Sequence, residues 1–282
     1  MTIDESLARQ DVSGPQAGGE PVSRRGPGWF VSDVALLAGR NLKHIRRRPD
    51  QLMAAILQPM MFFILFTYVF GGAISVPGGD YKQFVLPGVF GQIVVFGGIA
   101  GMCVGIAEDL RNGMMDRFRS LPMSSSAVLI GRTLAEMVRN LVALIVTGAV
   151  GYAFGFRLHG TLLQTLAGIG VLLLFGFALC WVLAIVGITA SSAEGAQTTA
   201  MPWMFLFGFV SSAFVPSESM PGWLRPFSDN SPVTLTINAA RDYFNGVSPG
   251  GDAVASVVWS IGLLVVFVPI ATMLFRRVSA RT

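Results

Sequence analysis

From Gln51 onward the chain falls into long apolar runs separated by short polar connections. The runs are continuous and do not alternate at period two, so they predict helices and argue against a transmembrane barrel. Six of them are long enough to cross about 30 Å of hydrocarbon at about 1.5 Å of rise per residue. They cover roughly 51–72, 83–106, 127–156, 162–189, 198–215 and 253–275. The third is apolar only from Leu141. Its first half carries Arg132, Glu136 and Arg139 and is expected to begin outside the bilayer core. Pro59, Pro202 and Pro269 lie inside spans, where they can kink a helix.

Residues 29–49, ahead of the first run, are amphipathic. Val31, Val34, Ala35, Ala38, Leu42 and Ile45 recur at helical spacing, and Asp33, Arg40, His44 and Arg47 fall on the other face. Such a helix suits a membrane surface, with its basic face toward anionic headgroups. It would equally suit packing on a soluble partner. Residues 1–28 are polar and rich in Gly, Pro and Ser. They contain no apolar h-region and read as a disordered tail rather than a signal peptide.

Composition narrows the class. The chain is 52% hydrophobic and 13% charged over 282 residues, against about 25% charged for a soluble domain. A soluble protein of this length lacks the interior to hide so much apolar sequence. The expected fold is therefore an all-α polytopic membrane protein. Its two cysteines, Cys103 and Cys180, lie inside apolar runs and read as small buried hydrophobes.

The distribution of Lys and Arg predicts orientation. Arg9, Arg24, Arg25, Arg40, Lys43, Arg46, Arg47, Arg48, Arg111, Arg117, Arg119, Arg132, Arg139, Arg276, Arg277 and Arg281 fall on the side shared by both termini. Only Lys82, Arg157, Arg225 and Arg241 fall on the other. Both termini are thus expected in the cytoplasm, with 278–282 as a short cytoplasmic tail.

Small residues mark expected helix contacts. Gly97, Gly101 and Gly105 repeat every fourth residue in the second span, and Gly151 and Gly155 repeat the spacing in the third. Such stripes let backbones approach closely, either inside one chain or at a dimer seam. Arg132, Glu136 and Arg139 share one side of the third helix, so Glu136 can pair with Arg132 on the preceding turn and with Arg139 on the next. They form either a solvated stripe or a network that stiffens the helix at the bilayer edge, where an unpaired Glu is costly.

Several chemistries are missing. A P-loop needs Gly-Lys followed by Ser or Thr, but Lys43 follows Leu42 and Lys82 follows Tyr81. Neither His44 nor His159 opens an HExxH zinc site. One GxSxG match, Gly246 to Gly250, sits in a Gly/Pro loop and lacks the strand–turn–helix setting of a nucleophile elbow. The other five spans contain no Asp, Glu, Lys or Arg, which argues against secondary transport and acid-ring channels. Energy for uphill movement would have to come from another chain. No nucleic-acid partner is expected.

The connection between the second and third spans, 107–123, mixes charge with large apolar groups. Glu108, Asp109, Arg111, Asp116 and Arg117 interleave with Leu110, Met114, Met115, Phe118 and Leu121. A docking helix needs such apolar anchors ringed by charge; a purely solvated loop does not. This stretch, with Glu108, Arg111-Asn112-Gly113, Asp116-Arg117-Phe118 and Ser120-Leu121-Pro122, resembles the cytoplasmic segment of the ABC-2 membrane family. A second block is also similar to that family: Ser212-Ala213-Phe214-Val215-Pro216, Met220-Pro221-Gly222-Trp223-Leu224, Asn230-Ser231-Pro232-Val233-Thr234 and Ala240-Arg241-Asp242. The chain looks most like the daunorubicin/doxorubicin-resistance permeases of actinobacteria, over roughly 29–277.

The resemblance implies six transmembrane helices with both termini inside, an interface helix at 29–49, and a transmembrane domain at 50–277. It implies short re-entrant helices in 216–245, a segment that includes Pro216, Pro221, Trp223, Pro232 and Arg241; an ordinary external loop is the alternative. It implies a permease in a bacterial cytoplasmic membrane, paired with a second permease and seated on a dimer of P-loop ATPase subunits. Those subunits would bind the ATP and Mg²⁺, leaving this chain without a cofactor or enzymatic activity. The segment from Glu108 to Pro122 would be the ATPase-coupling helix. The brief 191–197 connection would make only a minor second contact. Apolar spans suit an amphipathic drug or lipid-like cargo moved outward. Polysaccharide or glycolipid export, a non-transporting membrane scaffold and an intramembrane enzyme are the other readings.

Overall fold

The computed structural model describes residues 49–76, 80–111 and 125–281. The amphipathic stretch 29–48, and most of the 107–123 connection, lie outside the described residues. Among the described residues every regular element is helical. Nine α-helices follow in order: α1 Pro49–Leu65, α2 Tyr81–Gly98, α3 Gly105–Arg111, α4 Ser125–Ala153, α5 Leu162–Thr189, α6 Ala193–Phe209, α7 Arg225–Asp229, α8 Pro232–Phe244 and α9 Gly251–Arg281. A π-helical stretch, Phe66–Phe70, extends α1, and another, Ile99–Val104, joins α2 to α3 without a break.

Among the described residues four helices are long and apolar enough to cross a membrane: Tyr81–Arg111, Leu129–Ala153, Leu162–Thr189 and Gly251–Val278. They correspond to the second, third, fourth and sixth expected spans. The first and fifth are shorter. An apolar helix runs over Ile56–Phe70, and α6 has only 17 residues. The fifth run ends at Phe209, short of Val215, because serines divert the backbone. The Ser211 hydroxyl donates to Gly208 O at 2.6 Å, and the Ser212 N–H donates to Thr234 Oγ1 at 3.2 Å. Side-chain bonds of this kind compete with the helical ladder.

Packing places α5 at the centre, in contact with α2, α4, α6, α8 and α9. Its ends are well defined. Thr161 and Gln164 form a reciprocal capping box at the start. The α5–α6 connection is tighter than the expected loop at 191–197: Ser192 caps α6 by accepting from the Gly195 N–H at 2.9 Å. The last helix, α9, leaves Val254, Val258, Trp259, Ile261, Val265 and Val266 exposed. In a membrane-spanning helix such a face meets lipid or another subunit. It also runs to Arg281, so the expected tail at 278–282 is helical through that residue.

Two glycines adopt a left-handed backbone. Gly155 (φ 105°) follows α4 and Gly246 (φ 72°) follows α8. The N–H of Phe156 donates to Gly151 O at 2.9 Å, and that of Val247 to Asp242 O at 2.9 Å, closing both helices in the six-to-one pattern. Gly155 is therefore a helix terminator as well as a neighbour of the second span, where a Cβ on it would stand beside Lys82; Gly151 meets the same span more tightly, against Leu86. Gly246 likewise belongs to a cap, and Ser248 stands exposed in the connection to α9, which leaves the GxSxG match with no elbow. Cys103 and Cys180 are buried and unbridged.

Candidate functional site

The glycine stripe and the charge stripe meet each other. Along α2, the π-helical stretch and α3, Gly97, Gly101 and Gly105 step by four in one direction. Along α4, Asn140, Glu136 and Arg132 step by four in the other. Gly97 faces Asn140, Gly101 faces Glu136, and Gly105 faces Arg132; a Cβ at any of the three would collide with the opposing side chain. Small residues here make room for polar side chains of the same chain.

The polar groups form a ladder. Arg132 pairs with Asp109 at the end of α3, and its Nε donates to Gly101 O at 2.7 Å. Arg139 pairs with Glu136 and also donates to Gly97 O. Arg132 is thus bridged across to Asp109, not to Glu136 as helical spacing alone suggested. The Glu136–Arg139 pair is buried, at 5% and 6% exposure, so the solvated-stripe reading does not describe it. Two acids and two bases alternate along the ladder and cancel. That balance matters, since a buried charge without its partner costs several kcal/mol, about 3–5 when one member of a pair is removed.

Beside the ladder, α1, α2 and α4 enclose a cleft of about 220 Å³. Its wall combines Phe62 and Phe96 with Gln58, Gln92, Arg139 and Asn140. Gln92 donates to Gly208 O at 2.6 Å, linking α2 to α6. Among the described residues, its Oε1, the Asn140 Nδ2 and the Arg139 Nε have no hydrogen-bond partner. An aromatic cluster continues from Phe62, whose ring centroid is 5.7 Å from Phe209 and 6.0 Å from Phe214. The cleft can accommodate a group that is flat and apolar on one side and hydrogen-bonding on the other.

Of the expected coupling residues, Glu108, Asp109, Leu110 and Arg111 complete the helix that runs down from α2. Leu110 packs against the core, Glu108 and Arg111 are peripheral, and Asp109 anchors the ladder. Asn112, Gly113, Met114, Asp116, Arg117, Phe118, Leu121 and Pro122 lie outside the described residues.

The 216–245 segment contains a short 3₁₀ turn, Ser217–Ser219, then α7 and α8. Pro232 sits in the first turn of α8, where its missing N–H costs nothing. Pro216 is buried, whereas Pro221 and Trp223 are exposed, Trp223 to 79%. Arg241 ties the segment to the bundle. Its guanidinium donates to Phe84 O (3.2 Å), Asn238 Oδ1 (2.6 Å) and Ser212 O (2.8 Å), and stacks 3.8 Å from the Phe84 ring centroid. Neither Gln92 nor Asn140 stood out in the sequence. The available signal was register: Asn140 continues the Arg132–Glu136 repeat, just as Gly97 continues the glycine stripe.

These features define the class: a helical membrane protein whose described residues place a balanced charge ladder against a glycine stripe beside a polar-walled cleft. The chain belongs to the ABC-2 type transporter family, whose model matches residues 32–245. It is 35% identical over 241 residues to a daunorubicin resistance ABC transporter permease of Streptomyces coeruleorubidus, covering 86% of this chain and 85% of that one. It is 26% identical over 263 residues to a protein described as a probable doxorubicin resistance ABC transporter permease of Mycobacterium tuberculosis, covering 92% and 94%. A probable multidrug ABC transporter permease of Escherichia coli is 24% identical over 188 residues, 65% of this chain and 48% of its own. The chain is thus an ABC transporter permease subunit.

Proposed function

We propose that this permease is the membrane-embedded half of an ATP-driven exporter of amphipathic, drug-like molecules. It would work in a bacterial cytoplasmic membrane with six crossings and both termini inside. Separate P-loop ATPase subunits would bind ATP and Mg²⁺ and seat the 107–123 segment, and a second permease would complete the pathway. The 216–245 segment would dip back into the outer half of the bilayer.

The observation that carries this reading is the ladder. It begins at Asp109, within the expected coupling segment, and ends at Arg139, in the wall of the cleft. A push on the coupling segment would travel along α3 and, through the Asp109–Arg132 pair, move α4 as a rigid body. Because Arg139 and Asn140 ride on α4, the cleft would change shape at the same moment. The names of the relatives support a drug-like cargo, and the mix of Phe62 and Phe96 with the open Gln92 Oε1 and Asn140 Nδ2 suits an amphipathic one.

The test is reconstitution with its ATPase partner in vesicles, measuring outward transport of a fluorescent anthracycline together with ATP hydrolysis. Glu136→Gln keeps the shape of the side chain but removes its charge. The expected result is less transport per ATP hydrolysed with assembly intact. Unchanged stoichiometry in a stable variant would remove the ladder from the mechanism, and absence of ATP-dependent transport by the wild type would overturn the export reading.

A further inference from the structure

A second cavity lies away from the ladder, where α4 stops and α5 starts. Its volume is about 270 Å³, and Phe90, Leu144, Gly148, Tyr152, Ile169 and Phe244 line it. The lining is almost wholly apolar. A Cβ on Gly148 would already stand in contact with the Phe90 ring at 3.4 Å, so the glycine leaves that much of the groove free. The groove follows α4 from Leu144 to Tyr152, about 12 Å at about 1.5 Å per residue. It opens to the outside of the chain, because Ile145, Tyr152 and Leu158 along it are exposed. Both of its long walls are helices able to span a membrane, so its mouth meets hydrocarbon rather than water.

The chemistry changes at the end of the groove. Arg157 stands between the lining residues Phe156 and Leu158, with its guanidinium carbon 4.2 Å from the Tyr152 ring centroid. Nη1 donates to Tyr152 O and Phe156 O, and the side chain as a whole is exposed. Lys82 approaches the same end of α4: its Nζ lies 3.5 Å from where a Cβ on Gly155 would stand. Of the four cations expected on this side of the membrane, Arg241 is consumed by its three acceptors and Arg225 pairs with Asp229 at 3.4 Å. Lys82 and Arg157 carry no ion pair among the described residues. The nearby Asp80 carboxylate is engaged in capping α2, where it accepts the Lys82 N–H at 3.0 Å.

We infer that this groove binds one anionic phospholipid, with an acyl chain between α4 and α5 and the phosphate on Lys82 and Arg157. An apolar slot inside the membrane selects a hydrocarbon chain, and two cations outside any ion pair at its mouth favour net negative charge. Tyr152 sits at the level where aromatic rings prefer the headgroups. A zwitterionic lipid would bring its own ammonium to the two cations and lose that advantage. The site is separate from the cleft of the proposed export pathway, so its failure would leave that reading standing.

Full-length protein purified in mild detergent, mixed with equal amounts of dioleoyl phosphatidylglycerol and dioleoyl phosphatidylcholine, provides the test by native mass spectrometry. The wild type should retain one phosphatidylglycerol per chain with a preference of about tenfold or more over phosphatidylcholine. Lys82→Gln with Arg157→Gln should abolish the preference while leaving the groove able to take either lipid. Gly148→Leu should fill the groove and lose both. A photoactivatable phosphatidylglycerol, reactive along its acyl chain, should label the wild type within 144–152 and 165–172, which keeps the test decisive if Gly148→Leu does not fold. Equal retention of the two lipids by the wild type, adducts elsewhere, unaltered preference in the double variant, competition by inorganic phosphate alone, or a groove covered by a second copy of the chain would each overturn the assignment.

Discussion

Removing Glu136 strands Arg139, and removing Arg139 strands Glu136, because the pair is shut between α4 and the glycine-lined face of the second span. Glu136→Ala is therefore expected to destabilise by about 3–5 kcal/mol, and the double variant with Arg139→Ala by clearly less than the sum of the two. A double-mutant cycle on thermal unfolding in detergent measures the difference; strict additivity would mean that the pair is not coupled. Glycine positions offer a second contrast. Gly101→Val drives a branched side chain into the Glu136 carboxylate, and overpacking of this kind costs about 1–3 kcal/mol or more. Gly170 lies within α5 with open space around it, so Gly170→Ala should be neutral or stabilising by up to about 1 kcal/mol. Equal unfolding midpoints for the two variants would show that the second span does not press on the third.

At the scale of elements, two joints hold the helices in register. One is the π-helical stretch Ile99–Val104, which lies where Gly101 meets Glu136 and contacts α4, α5 and α6. The other is Arg241, which binds α8 to Phe84 of α2 and to the turn after α6. Hydrogen bonds from a charged donor are worth about 1.5–3 kcal/mol each, so Arg241→Ala should release the 210–216 turn. Hydrogen exchange there should speed up relative to α5; unchanged protection would show that the turn is held by its own serines. Topology is testable at the same scale. With Cys103 and Cys180 replaced, single cysteines at positions 113 and 222 should react with an impermeant maleimide from opposite sides of the membrane. Labelling of both from one side would refute the six-crossing arrangement.

For the molecule as a whole, the division of labour makes a simple prediction. Neither lysine can complete a phosphate-binding loop, so the purified chain alone should hydrolyse no ATP, and activity should appear only when an ATPase subunit is added. Turnover in a preparation shown by mass spectrometry to contain this chain alone would contradict it.

Much of this architecture was legible in the order of residues. Long unbroken apolar runs can satisfy their backbones in a bilayer only as helices, so α2, α4, α5 and α9 could be read directly, and the missing P-loop followed from two lysines. Family resemblance was legible too, in the words around Arg111 and Arg241. What remained open were choices between partners. Gly97, Gly101 and Gly105 could have served a dimer seam; they face Asn140, Glu136 and Arg132 because two helices of one chain run antiparallel in that register. Arg132 had Glu136 within helical reach and took Asp109 across the interface. Gly155, spaced like a contact residue, also ends its helix with a left-handed backbone that spacing does not reveal. Helical periodicity states which residues share a face, since that depends on the backbone alone. What each face meets depends on residues distant in the chain, and that only the packing of the helices decides.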